Sequence, residues 1–270
     1  GIRDRSPSRG LGDVYKRQVW FRDNWEDLKI IEEAIPVRDS EDYPLRIRIS
    51  RHGPVINDVL EPVQESFKQP VALSWQMLSD FENSTEQVFY DLGHSNSLED
   101  SQSAVSKLHA PGLNINYGDA EGNIAWWAAA RLLIRPSHVN SFIILDGASG
   151  KDEILGYHDF SGNPRSVNPQ SGMVFNGNNQ PEDIGNGLEP GYYAPQERAQ
   201  RMSQLLDPDK DDWTAADMQQ IQLDTKHPRI DKFQQHFLSV LSENSGRSEV
   251  FRNAAEVFNN WDGTHERNAI

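Results

Sequence analysis

The sequence contains no cysteine, which excludes disulfides, thiolate-bound zinc, iron-sulfur clusters and a thiol nucleophile together. It has no run of about 18 apolar residues, so no segment of it reads as a bilayer-spanning helix. Basic residues are scarce, with 26 Lys and Arg against 41 Asp and Glu, a formal net charge of -15 and an isoelectric point near 4.9. Such a surface repels phosphate backbones and anionic lipid, and nucleic acid is excluded as a partner. Hydrophobic residues make up only 36% and mean hydropathy is -0.70, both low for a compact domain. Seven Trp, seven Tyr and eleven Phe nonetheless supply the large apolar bodies that disordered chains lack. There is no HExxH, no complete G-x-S-x-G, no Walker A loop and no GxGxxG opening a helix. The eight His are nowhere paired at metal-ligand spacing, and His52 and His109 read as hydrogen-bonded structural residues. Gly147-Ala148-Ser149-Gly150-Lys151 has the residues of a phosphate loop at the wrong spacing, among Asp146, Asp152 and Glu153, and reads as a surface turn.

The first eighteen residues hold five of the basic and two of the acidic residues, without apolar periodicity. They resemble translated adapter sequence rather than a targeting peptide, because no apolar h-region is present. The expectation is an extraneous segment at 1–18 followed by one partial domain at 19–270. Ile270 closes no recognisable element, so both ends are expected to be those of an incomplete piece.

From Val19 onward the pattern is strands and turns. Leu45, Ile47 and Ile49 alternate with Arg46, Arg48 and Ser50, the period of a half-buried strand with the polar set facing water. Ser97 with Asp100 three residues on resembles a capping box, and Ala104, Val105 and Leu108 give its helix an apolar face. Segments 114–117 and 123–130 flank Asp119-Ala120-Glu121-Gly122 as a hairpin. Further strands are expected at 141–145 and 172–175. After about residue 190 the period becomes helical: Ile230, Phe233, Phe237, Leu238 and Leu241 share one face, and Val250, Phe251, Ala254, Val257 and Phe258 another. Strands first and helices last predict an α+β or layered arrangement.

The chemically informative stretch is Asn168-Pro-Gln-Ser-Gly-Met-Val-Phe-Asn-Gly-Asn-Asn-Gln-Pro181. A strand from Gly172 that ends in the amides of Asn176, Asn178 and Asn179 can present an N–H donor to an oxyanion, as acyl transfer requires. The same Asn and Gly residues also simply make a turn.

This stretch resembles the penicillin acylase (penicillin amidase) family, whose NP-x-x-G strand ends in an Asn-Asn pair before Pro. Other matches come in the family's order. They are Arg51-His52-Gly53-Pro54-Val55, then Asn114, Tyr117, Asp119, Gly122, Asn123 and Ile124 as its hairpin, Arg198-Ala199-Gln200-Arg201-Met202 with Leu205-Leu206 as its helix, and Asn260-Trp261-Asp262-Gly263 as its WDG signature. The resemblance implies an N-terminal-nucleophile hydrolase with a four-layer αββα sandwich, here incomplete, cut from a precursor by autoproteolysis. In such enzymes an N-terminal Ser attacks a linear amide of the penicillin, cephalosporin or acyl-homoserine-lactone type, and its own α-amino group is the base. By this resemblance Asn178 is the oxyanion-hole residue, with Asn176 or Asn179 as register alternatives, and Arg198 orients it. Asn114, Tyr117, Asp119, Gly122 and Asn123 read as architecture, and Trp126 and Trp127 as packing.

The family's Ser and its backbone oxyanion donor precede the Arg51 strand by more residues than stand here, so this chain alone is expected to be inactive. Its implied partners are the missing α-chain and early β-chain of the same precursor and a small N-acyl amide substrate. Family members often bind calcium between loops, and no Asp or Glu cluster here is assignable to it. Periplasmic or secreted localisation is implied by the resemblance alone. The alternative of a different class is a noncatalytic β-rich binding or scaffold module.

Overall fold

The computed structural model describes residues 17–79, 85–140, 142–181, 193–244, 246 and 248–265. They form two compact units, one from 17–115 and 127–164, the other from 116–126, 165–181 and 193–265.

The first unit opens with the hairpin β1 (Gln18–Phe21) and β2 (Asn24–Asp27), registered from Gln18 opposite Asp27 to Phe21 opposite Asn24. Leu28 N–H donates to Arg17 O at 2.6 Å, so Arg17 and Gln18 take part in this hairpin, while residues 1–16 of the segment set apart by composition lie outside the described residues. An antiparallel sheet comes next in the order β3 (Lys29–Ile35), β4 (Tyr43–Ser50), β5 (Gly53–Pro54). The turn into β5 needs glycine: Gly53 has φ +126, and a Cβ there would lie 2.2 Å from Leu73 O.

One residue of β4 departs from its alternation. Arg48, expected on the solvent face, is only 4% exposed. Its Nε and Nη2 donate to Asp58 Oδ2 at 3.2 and 2.7 Å, whereas Nη1 is buried with no acceptor. The carboxylate that draws it inward comes from beyond the strand, where period-2 reasoning does not reach. Just before Asp58, Asn57 is 1% exposed. Its Nδ2 donates to Phe67 O and Gln69 O at 3.3 and 3.0 Å, and its Oδ1 accepts from Val71 N–H at 2.7 Å. One side chain thereby closes the excursion around α1 (Glu61–Ser66).

After α2 (Gln76–Ser79) come α3 (Thr85–Gly93) and the expected helix α4 (Leu98–Val105), whose N-cap Ser97 accepts from Asp100 N–H at 3.0 Å. The expected hairpin is also present, as β6 (Leu113–Gly118) and β7 (Ile124–Ala129). Its base lies in this unit, where Trp127, Val105 and Leu108 are fully buried. A short pair, β8 (Leu133–Ile134) with β9 (Gly156–Tyr157), ends the unit's strands. The strand expected at 141–145 does not form: Ser141 lies outside the described residues, and 142–145 is irregular. Asn140 there accepts Phe142 N–H on Oδ1 and Ile143 N–H on its carbonyl, taking the backbone groups that a ladder would use.

In the second unit the hairpin tip is joined by β10 (Arg165–Val167), giving the sheet order β10-β7-β6. The helices are α5 (Glu197–Leu205), α6 (Ala215–Gln222), α7 (Ile230–Asn244) and α8 (Glu249–Asn260). A capping box between Thr214 and Asp217 starts α6. Helices α7 and α8 pair through Phe237 and Phe258, ring centroids 5.5 Å apart, and through Gln234 Nε2, which donates to Phe258 O and Trp261 O. Their apolar faces are only partly covered, with Phe233 and Phe237 about half exposed. Gly263, with φ +85, lies so close to buried Ile230 that a Cβ would come 2.6 Å from its Cγ2. The strand expected at 172–175 is absent. Gly172 has φ +65 and donates its N–H to Pro169 O at 2.9 Å as a turn, and among the described residues no ladder takes up 173–175. The whole is a mixed fold of small antiparallel sheets and helices.

Candidate functional site

Asn178 therefore sits in a loop rather than at a strand end. Its φ is +59, a left-handed conformation that Asn tolerates better than most side chains. The loop is pressed against the first turn of α5: a Cβ on Gly177 would lie 2.7 Å from Ala199 N and 3.1 Å from its Cα. Only glycine permits this approach, and it brings the preceding helix residue, Arg198, back over the loop. Arg198 Nη2 donates to Gly177 O at 2.8 Å and to Asn178 Oδ1 at 2.5 Å. The two residues singled out in the sequence are thus in direct contact.

That contact fixes the direction of the amide. With Oδ1 on a cation, Nδ2 faces the opposite way, and among the described residues it donates to nothing. The neighbouring amides are engaged with backbone instead. Asn176 Oδ1 accepts from Asn178 N–H at 2.7 Å and Asn179 Oδ1 from Gly177 N–H at 3.2 Å. Asn179 Nδ2 donates to Gln180 O at 3.2 Å, and Ala194 N–H to Asn178 O at 2.7 Å. Of these three amides, Asn178 is the one held by a charged side chain. An oriented, exposed N–H donor on a fixed loop can bind a negatively charged oxygen.

The second arginine of the helix motif has a different job. Arg201 Nε and Nη2 hold Asp224 at 2.8 and 2.7 Å, a bidentate pair that ties α5 to the end of α6. The Arg201 hydrogen bond keeps the Asp224 carboxyl below its ordinary pKa and raises the guanidinium's own.

At the hairpin tip everything converges on Asp119. Its Oδ1 accepts from Glu121 N–H and Asn123 N–H, and its Oδ2 from Asn123 Nδ2 and Tyr117 Oη. These bonds, led by the Asn123 side chain, hold its pKa below the carboxylate norm. Asn168, with φ +45, accepts Ile124 N–H on Oδ1 and donates Nδ2 to Asn123 Oδ1. These groups are engaged with one another, which is architecture. In the first unit the 147–151 segment is a turn organised by Asp146 Oδ1, which accepts from Ala148 N–H and Ser149 N–H. His52 Nε2 meets Glu153 Oε1 at 2.6 Å. Among the described residues no three His, Cys, Asp or Glu side chains gather to hold an ion, so no calcium ligand is assigned.

Sequence reasoning missed the work of Asn176 and Asn179 on the backbone, and the structural amides of Asn57 and Asn163. Asn163, 1% exposed, donates Nδ2 to Ala128 O and Ala130 O at 2.9 and 2.7 Å. The run N-G-N-N was a readable signal for the first pair, since Asn side chains reach backbone N–H groups two residues away. Nothing local marks Asn57 or Asn163.

The fold is that of penicillin acylases. A thermostable penicillin G acylase from Alcaligenes faecalis superposes with a TM-score of 0.73 over 96% of this chain and 46% of that one, at 21% identity. The family model for penicillin amidase matches residues 8–270, and the chain belongs to that family. The match takes in part of the N-terminal segment that composition had set apart. Among curated relatives, the acyl-homoserine lactone acylase QuiP of Pseudomonas fluorescens strain Pf-5 is 27% identical over 205 residues, 73% of this chain and 24% of that protein. The penicillin acylase 2 proenzyme of Pseudomonas sp. strain SE83 is 27% identical over 202 residues, 70% of this chain and 24% of that protein. The chain thus spans about a quarter of the length of these relatives.

Proposed function

We propose that these residues are part of an N-acyl amide hydrolase in which Asn178 is one donor of the oxyanion hole and Arg198 orients it. The observation that carries this reading is the Asn178 amide, fixed at Oδ1 by Arg198 Nη2 with Nδ2 left to donate. When a nucleophile adds to an amide carbonyl, negative charge develops on the oxygen. A donor already oriented stabilises that charge without reorganising. On this reading the nucleophile is an N-terminal Ser whose α-amino group, with an ordinary pKa of about 7.7 to 8.0, removes the hydroxyl proton near neutral pH. Both that Ser and the second, backbone donor belong to sequence outside these 270 residues. The reading includes a precursor cut by autoproteolysis, a four-layer αββα sandwich in the whole polypeptide and export to the periplasm. The relatives' names support a penicillin or acyl-homoserine-lactone type of substrate, and a cephalosporin type rests on the resemblance of the motifs alone. The 270-residue chain alone has no activity on this reading.

The test is Asn178→Asp in the full-length polypeptide. Asp keeps the size and the Arg198 contact but removes the N–H donor. Turnover of a chromogenic acyl amide should fall by about 10²- to 10³-fold with the melting temperature preserved. Unchanged turnover, or hydrolysis by the 270-residue chain itself, would overturn the reading.

A further inference from the structure

The peptide group joining Gly177 to Asn178 is held at both ends. Its carbonyl oxygen accepts from Arg198 Nη2 at 2.8 Å, and its N–H donates to Asn176 Oδ1 at 2.7 Å. The flanking groups are held too, Gly177 N–H by Asn179 Oδ1 and Asn178 O by Ala194 N–H. All four backbone polar groups of these two residues therefore have partners. Two of those partners are side-chain amides from the loop itself. The loop also lies backbone to backbone against Ala199, so its distance from the root of the Arg198 side chain is set by main-chain contact.

The Asn178 amide has two rotatable bonds between its backbone and its tip. Arg198 fixes the tip through Oδ1. The root is fixed only if the Asn178 main chain keeps its left-handed φ of +59, and the group that grips that main chain at its N–H is Asn176 Oδ1. Resting on the oxyanion reading above, we propose that Asn176 is a positioning residue of the site. Its oxygen holds the main chain from which Asn178 aims Nδ2, and Arg198 supplies the second point of the clamp. Asn176 acts through the backbone of Asn178 and does not itself meet the reacting oxygen.

The requirement is for an acceptor at the Oδ1 position, and that separates positioning from mere packing. In the full-length polypeptide, Asn176→Ala should lower kcat by about tenfold or more, on the way to the roughly 10²-fold cost of a misplacement of about 1 Å. KM should stay within about twofold, since the variant leaves the substrate's other contacts in place. Asn176→Asp, which keeps the acceptor at the same place, should restore kcat to near that of the unaltered enzyme. Asn176→Ser, with a shorter reach to the same N–H, should fall between them and carries the test with Asp if the alanine variant does not fold. Equal kcat for the Asn, Ala and Ser forms, or an Asp form as poor as the Ala form, would overturn the proposal. Asn178→Asp measured alongside tells the two readings apart. If it lowers turnover by about 10²-fold or more while Asn176→Ala leaves kcat unchanged, only the positioning role falls. If it leaves turnover intact, the oxyanion reading falls and takes this one with it.

Discussion

Asn57 and Asn178 are the same side chain used in opposite ways. At Asn57 the amide is buried and both ends are engaged, Nδ2 on two carbonyls and Oδ1 on one N–H, all from the segment 67–71. At Asn178 one end is held by Arg198 and the other is open. A fully engaged amide stabilises the chain that surrounds it. A half-engaged amide held by a charge stabilises little and is available to something else. Partner counting at each end, rather than residue type, tells architecture from site.

The comparison can be broken most directly from the Asn178 side. Asn178→Asp should cost about 10²- to 10³-fold in turnover and almost nothing in stability, so a large loss of melting temperature would move Asn178 into the same category as Asn57. Asn57→Ala should do the reverse. Removing three buried hydrogen bonds at once should destabilise the fold by about 3 kcal/mol in chemical denaturation, while turnover per folded molecule stays unchanged. A smaller effect is expected at Asn168→Ala. The left-handed φ and the lost bonds to Ile124 N–H and Asn123 Oδ1 should together cost about 1 to 2 kcal/mol, again without a change in kcat.

Acid sharpens the contrast by a smaller margin. Asp224, Asp217 and Asp262 all have pKa values lowered from 3.8, chiefly by hydrogen bonds from Arg201, Thr214 and Thr264 respectively. A carboxylate with a lowered folded pKa contributes stability that is complete above its unfolded value and is lost as pH falls through the folded one. The melting temperature should therefore hold from about pH 6 to about pH 4 and decline below that. Arg201→Met should flatten that decline by removing the Asp224 share. An unchanged slope would mean that the pair does not couple α5 to α6 in solution.

Much of the layout was legible because its signals are local. Ser97 and Asp100 announced α4, Gly122 closed the hairpin, and the helical period of Ile230 to Leu241 marked α7. The meeting of Arg198 with Asn178 was reached from the family's motif, since nothing within either segment points to the other. Failures share one cause. Alternation puts Arg48 on the solvent face, and the strands expected at 141–145 and 172–175 are apolar runs; the first assumes a uniform face for the side chain and the others a ladder for the backbone. Asp58 drew Arg48 inward and Asn140 captured the backbone at 142 and 143. Each is a single polar contact strong enough to override the periodic preference.

The buried Arg48 constrains how this sheet can vary by descent. Asp58 supplies the one carboxylate oxygen on which both Nε and Nη2 rest, and Nη1 already lacks an acceptor. Losing Asp58 alone strands the Arg48 charge in the interior, whereas Asp58, about half exposed, stays solvated when Arg48 is replaced by an apolar residue of like volume. The pair is therefore left by one route, through Arg48 first, and the opposite order crosses a valley. Among relatives, an arginine at position 48 should come with a carboxylate at position 58, whereas a carboxylate at 58 needs no arginine at 48.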